Sequence, residues 1–298
     1  MFSYRHAFHA GNHADVLKHT ILLALLDYLL QKDKPLLALD THAGAGRYAL
    51  EGHFAQQSGE YETGIAHLWT RRDLPPLLER YVMAIQALNP NGELRHYPGS
   101  PTLMREVLRT GDVIRLHELH SSEITILEKN MGVRASIPGQ KGNRPPRQQQ
   151  GPRVIIEYSD GFAALKAALP PPQRRGLVLI DPSYENKQDY QTTLTALKEG
   201  LARFPIGMYA IWYPQVQRSE SKRLPEQLLK LAGGLNWLHA TLTVREPSAD
   251  GLGLYGSGMF ILNPPWTLPE QLQQTLPYLV KTLGQDKGAE FSLQYHIQ

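Results

Sequence analysis

Apolar and polar positions along the chain follow two rhythms. Val16, Leu17, Thr20, Ile21, Ala24, Leu25 and Tyr28 recur three and four apart behind Asn12 and Asp15, which resemble a helix-start box, and predict a first helix over 13–31. Pro35 then introduces 36–40, four apolar residues ending in Asp40, which reads as a buried strand followed by a glycine turn and another helix start. From Ala49 to Tyr97 the rhythm is helical, with patches at Ile65, Leu68 and Trp69 and at Leu77, Leu78, Tyr81, Val82, Ile85 and Leu88. Pro75-Pro76 and Asn91-Gly92 mark the breaks, and no strand candidate stands out between them.

The next strand falls at 113–118, so residues 49–97 are predicted to form a helical insertion. Later strands are expected at 154–157, 177–181, 207–212, 238–244 and 257–263, with helices between most of them. That alternation predicts an α/β fold with a doubly wound, Rossmann-like sheet, and its last two strands form an antiparallel pair. No internal repeat is visible, and one domain over 1–298 is expected.

Composition narrows the chemistry. The 298 residues contain no cysteine, which excludes a disulfide framework, a thiolate nucleophile and a cysteine metal site. The start, Met-Phe-Ser-Tyr-Arg-His, lacks a signal-peptide pattern, and the longest apolar run, 21–30, is too short to span a bilayer and contains Asp27. A soluble cytoplasmic protein and a monomer are the expectations. The net charge of +3 permits a polyanionic partner without requiring one. No acidic residue occurs from Lys129 to Ile156, while Lys129, Arg134, Lys141, Arg144, Arg147 and Arg153 sit among Pro, Gly and Gln, predicting a flexible basic loop over 129–153. Such a loop either contacts phosphate or is only solvated, and both readings stay open.

Two turns carry the candidate chemistry. Gly44-Ala45-Gly46-Arg47-Tyr48-Ala49 formally fits the dinucleotide fingerprint, but three residues separate Asp40 from Gly44, and no second-strand acid follows at the required distance. The spacing D-x-x-x-G-x-G instead resembles motif I of S-adenosylmethionine methyltransferases. Glu118 at the end of the next strand would then meet ribose hydroxyls, and Asp160-Gly161 after the third would meet the adenine of the cofactor. Singly, each of these acids could equally be a helix cap or a solvated loop residue; three acids at successive strand ends define one crevice.

The second turn, Asp181-Pro182-Ser183-Tyr184, resembles the [D/N/S]-P-P-[Y/F/W] motif of amino methyltransferases, with Ser183 at the third position. An exocyclic amine is a poor nucleophile because its lone pair is delocalised. Acceptors on its hydrogens, the Asp181 carboxylate and the Pro182 carbonyl, localise that pair, and Asp181 is the proton acceptor. Tyr184 would offer a face on which an extruded base stacks. Asn263-Pro264-Pro265-Trp266 is the closer literal match, but if its strand runs antiparallel to the others, it ends at the wrong edge of the sheet.

Near the N-terminus, His6 and His9 lie in a lead expected to be flexible, and His13 and His19 fall on different helix faces, so no metal site is expected. Tyr4-Arg5-His6 place an aromatic ring and a cation where a mobile lead could cover a base and its phosphate.

With these residues assembled, the chain resembles the RlmJ family of bacterial 23S ribosomal RNA adenine-N6 methyltransferases. The likeness runs through Ser3–His6, Phe8–His19, Leu39–Tyr48, Gly59–Tyr61, Tyr97–Pro101, Glu118–His120, Asp160–Phe162, Trp212–Pro214 and Asn263–Trp266. The family carries Asp-Pro-Pro-Tyr where this chain has Ser183, and the basic loop looks like an addition. The resemblance implies that His19, His42, Ser100, Glu118, Asp160, Gly161 and Asp181 line an S-adenosylmethionine pocket, to which the motif I spacing adds Gly44. It further implies that Asp181 acts on the adenine amine, that Tyr4 contacts the target adenosine and that the insertion contacts RNA; because a folded ribosome would hide most bases, free or early-assembly 23S rRNA is the expected substrate. Ser100, before Pro101, reads independently as a helix cap. A catalytically silent RNA-binding factor, an adenine methyltransferase of DNA and, more distantly, a nicotinamide reductase remain the alternatives.

Overall fold

Asn12 Oδ1 accepts the amides of Ala14 and Asp15 at 3.0 Å each and so starts the first helix, α1 (His13–Leu30), where the sequence places it. The computed structural model describes residues 5–137 and 150–298. Tyr4 and the middle of the basic loop lie outside the described residues. After α1 come β1 (Leu37–Asp40), β2 (Arg47–Ala49), α2 (His53–Ser58), α3 (Ala66–Trp69), α4 (Pro76–Leu88), β3 (His96–Pro98) and α5 (Ser100–Val107). The chain continues through β4 (Val113–Glu118), α6 (Ser121–Met131), β5 (Arg153–Tyr158), α7 (Gly161–Ala168), β6 (Gly176–Ile180), α8 (Gln188–Arg203) and β7 (Met208–Gln215). It ends with α9 (Ser219–Ala232), β8 (Trp237–Thr243), β9 (Gly256–Leu262), α10 (Leu268–Leu283) and β10 (Glu290–His296).

Eight strands form one sheet in the order β10-β8-β9-β7-β6-β1-β4-β5. The five from β7 to β5 are mutually parallel, whereas β9 is antiparallel to both β7 and β8. The expected antiparallel pair is present. Successive strand residues point to opposite faces. Ala38, Leu177, Leu179 and Ala210 pack on the side of α1 and α10, while Leu39, Val178, Ile180 and Ile211 pack on the side of α7, α8 and α9. Both faces are covered, which is why these strands read as continuous apolar runs.

Several expectations need correction. α1 is buried nearly all round rather than along one stripe, because it lies between the sheet and the inserted segment, against β9, α4 and α5. The glycine turn leads directly into a strand rather than a helix; Arg47–Ala49 pairs antiparallel with His96–Pro98, so the ends of the insertion are closed by two short strands. Ser100 is not a cap: Gly99 occupies that position, and Ser100 is the first helical residue. β10 joins the sheet at the β8 edge, which the sequence reading omitted.

The basic loop is shorter than 129–153. Lys129 to Met131 complete α6, Arg153 opens β5, and Ser136 bridges to β5 by accepting the Tyr158 amide and donating its own to Ile156. The N-terminal lead is also anchored from Arg5 onward. His6–Phe8 form a single 3-10 turn, His6 bonds to Asp15 and His9 to Glu60, both at 2.9 Å. Among the described residues, no helix is long and apolar enough to cross a membrane.

Candidate active site

From β1 the chain runs outward through β4 to β5, then returns to β6 on the other side of β1. Such a reversal opens a crevice beyond the carboxyl ends of the two central strands. Asp40 ends β1 opposite Leu179 of β6, and Asp181 follows β6 by one residue, so the two turns singled out in the sequence are neighbours. They open into a single cavity of about 670 Å³. Its walls include His19, His42, Gly44, Ser100, Glu118, Asp160, Gly161, Asp181, Pro182 and Tyr184, so every described residue proposed from the sequence borders it.

On the glycine-turn side, Glu118 fastens two loops: one carboxylate oxygen accepts the Gly44 amide at 2.8 Å and the other the His120 amide at 2.6 Å. Burial pushes its pKa up, and these amides pull it back. The turn requires a left-handed residue at Gly44 (φ 58°), where a Cβ would collide with the Tyr48 hydroxyl. Because the Gly44 amide is taken by a carboxylate, the turn does not offer it to a pyrophosphate, which removes the main attraction of the dinucleotide reading. Beneath it, Asp40 accepts the Ser100 hydroxyl at 2.6 Å and the His42 amide at 3.1 Å; burial raises its pKa to about 6 against the Ser100 bond.

At the end of β5, Asp160 caps α7 by accepting the Phe162 amide at 2.9 Å while also facing the cavity, so cap and cavity roles coincide. Gly161 lies against the Thr41 carbonyl, with which any Cβ would collide. A buried imidazole and a partly buried one complete this half. Burial lowers His19 and His42 to about 3, which keeps both neutral at physiological pH. His19 Nδ1 pairs with the Tyr97 hydroxyl at 2.7 Å, while its buried Nε2 has no partner among the described residues.

On the other side, Asp181 Oδ2 accepts Lys18 Nζ at 2.6 Å, and the same ammonium lies 2.9 Å from Asp15 Oδ1. Burial raises the Asp181 pKa, opposed by Lys18. The neighbouring carboxylates hold Lys18 above its ordinary value despite its burial. Asp15 is also desolvated, but His6 and Lys18 more than offset that and leave it well below the usual carboxylate range.

The expectation of an open stacking face at Tyr184 is corrected. Its ring is only 2% exposed, packs 4.5 Å from Tyr190 by centroids, and donates its hydroxyl to the Trp212 carbonyl at 2.9 Å. It forms cavity wall. Tyr184 adopts a left-handed conformation (φ 54°), and Arg218 donates to its carbonyl at 2.9 Å. These two bonds hold the turn in place where Ser183 replaces the motif proline.

Sequence reasoning missed Lys18, Asp15 and Trp212 as parts of the site. The signal was present: a lysine and an aspartate three apart inside an apolar helix demand buried counter-charges. Lys18 also lies 5.8 Å from the centroid of the Trp212 ring, whose buried Nε1 has no partner among the described residues. The rival turn is excluded by position. Asn263 sits at the opposite edge, where its amide donates to the Pro205 and Gly207 carbonyls at 2.9 and 2.6 Å before β7 begins.

This sheet order, with an acid-bounded glycine turn and an aspartate-proline turn on adjacent strands, defines a Rossmann-like methyltransferase. The family model described as "Ribosomal RNA large subunit methyltransferase D, RlmJ" matches residues 33–295. The chain therefore belongs to the RlmJ family of ribosomal RNA large subunit methyltransferases. It is 46% identical to ribosomal RNA large subunit methyltransferase J of Escherichia coli, covering 94% of this chain and 93% of that one. Against the protein of the same name from Haemophilus influenzae, identity is 44% over 99% of each. A crystal structure of a Legionella pneumophila protein superposes with a TM-score of 0.82 at 34% identity, covering 97% of this chain and 98% of that one.

Proposed function

We propose that this methyltransferase transfers a methyl group from S-adenosylmethionine to N6 of one adenine in 23S ribosomal RNA, acting on free or early-assembly RNA. The observation that carries the reading is the shared cavity of the Gly44 and Asp181 turns on adjacent strands. The donor set suits the cofactor. Glu118 and Asp160 supply acceptors for ribose hydroxyls and an adenine amino group, and the neutral imidazoles of His19 and His42 add no positive charge against a sulfonium. The unpartnered His19 Nε2 marks a buried polar position that a ligand can satisfy. When bound, the cofactor supplies an electrophilic methyl group.

The remaining work falls to the chain. Asp181 and the Pro182 carbonyl accept the two hydrogens of the adenine amine and orient its lone pair. Burial makes Asp181 more basic than a free carboxylate, which favours its taking the proton as positive charge develops on the amine. Lys18 fixes the carboxylate through Oδ2. Tyr4 contacts the target adenosine, and the 49–97 segment, within one domain spanning 1–298, contributes RNA-contacting surface.

Asp181→Ala tests the reading. It should abolish transfer to rRNA while the protein remains folded; retained turnover would place the chemistry elsewhere. Assaying rRNA and DNA in parallel separates this reading from a DNA enzyme.

A further inference from the structure

The connection between β8 and β9, residues 244–255, reaches the outer end of the cavity, whose lining includes Gly251, Leu252 and Gly253. Its tip is braced by local hydrogen bonds. The Gly251 amide donates to the Ser248 carbonyl at 3.0 Å, and the Asp250 carboxylate accepts the Ser248 hydroxyl at 2.6 Å and the Leu252 amide at 2.9 Å. Arg245 donates to the Leu254 carbonyl at 3.1 Å. Left-handed glycines on either side (φ 76° and 85°) turn the chain sharply around Leu252.

This tip is fastened to the catalytic wall. Gln217 donates its amide to the Ser248 carbonyl at 2.6 Å, and the adjoining Arg218 donates to the carbonyls of Tyr184 and Glu185. The tip, the β7–α9 connection and the Asp181 turn thus form one hydrogen-bonded unit. On that unit Leu252 is 72% exposed.

A lone exposed leucine on an ordinary surface needs no explanation. Here it stands on a braced turn at the mouth of a cavity proposed to receive an adenine drawn out of RNA. Extruding a base leaves a gap in the stack and costs a few kcal/mol of unstacking, which an apolar side chain inserted at the step offsets. We propose that Leu252 is such a wedge, entering the base stack of helical RNA at the gap left by the target adenine. The inference rests on the adenine-methylating reading above. It specifies the substrate further, as an adenine taken from a stacked helix rather than from an already splayed strand. A branched apolar side chain reads no base edge, so Leu252 promotes extrusion and leaves base identity to the cavity.

The test uses the full-length protein and an rRNA oligonucleotide spanning the methylated adenine, once mapped, either alone or annealed to a complement. Leu252→Ala should lose about tenfold or more in kcat/KM on the annealed RNA and less than about twofold on the single strand. With 2-aminopurine at the target position, the fluorescence rise that reports unstacking in the annealed RNA should be largely lost. Leu252→Met should restore both, and melting temperature and cofactor affinity should not move. Equal losses on both RNAs, no loss on the annealed RNA, or a parent enzyme active only on the single strand would overturn the wedge. A parent that methylates neither RNA would overturn the reading of the site itself.

Discussion

Lys18 Nζ lies 2.6 Å from Asp181 Oδ2 and 2.9 Å from Asp15 Oδ1, so one buried ammonium serves a buried and a partly buried carboxylate. The two acids are not equivalent. Asp15 also accepts from the His6 ring at 2.9 Å and the Gly11 amide at 3.0 Å and is a fixed anion, whereas Asp181 keeps a raised pKa. On the proposed function, that asymmetry suits Asp181 to exchange a proton, while Asp15 ties down the N-terminal turn.

Removing the cation should expose this difference. Lys18 lowers the Asp181 pKa, so Lys18→Met should raise it and move the acidic limb of the kcat/KM–pH profile upward by about one unit or more. Leaving the buried Asp15 and the partly buried Asp181 without their cation should also cost about 3–5 kcal/mol of stability. An unmoved acidic limb would show that Asp181 does not control it.

Asp40 makes a prediction about folding. Its pKa rises on folding from 3.8 to about 6, so the folded protein binds the extra proton, and the ionised form weakens the fold as pH climbs through that window. Asp40→Asn removes the titration. Its stability relative to the parent should improve between about pH 4 and pH 7 by up to about 3 kcal/mol, read from denaturant unfolding at each pH. A difference independent of pH would contradict the assignment.

Gly161 has no room for a side chain beneath the Thr41 carbonyl. Gly161→Ala should therefore displace the end of β1 or the start of α7, lower stability by about 1–3 kcal/mol and weaken binding of the demethylated cofactor, measured by calorimetry. Unchanged affinity would separate this contact from the cofactor site.

Much of this was legible in the chain. The parallel strands are buried on both faces, so they appear as apolar runs, and acids at their ends announced the crevice. β10 carried a readable signal as well, since Phe291, Leu293 and Tyr295 alternate with Glu290, Ser292 and Gln294. β2 and β3 are three residues each, too short for any periodicity. The burial of Tyr184 could not be read, because its left-handed backbone and its bond to Trp212 arise only once β6 and β7 lie side by side.

The Asn-Pro-Pro-Trp turn shows why a literal motif match needs its position in the fold. Asn263→Ala should leave kcat unchanged and cost about 1 kcal/mol for the lost hydrogen bonds to Pro205 and Gly207. A collapse of kcat without unfolding would return that turn to consideration.

On the proposed function, Asp181 and the glycine turn bring an adenine amine to the methyl donor in one cleft. That meeting is tested most directly by incubating deproteinised 23S rRNA with methyl-labelled S-adenosylmethionine and identifying the labelled nucleoside by mass spectrometry. Label is expected in N6-methyladenosine at one position with the parent protein and nowhere with Asp181→Asn. Label in a different nucleoside, or undiminished label with the variant, would contradict it.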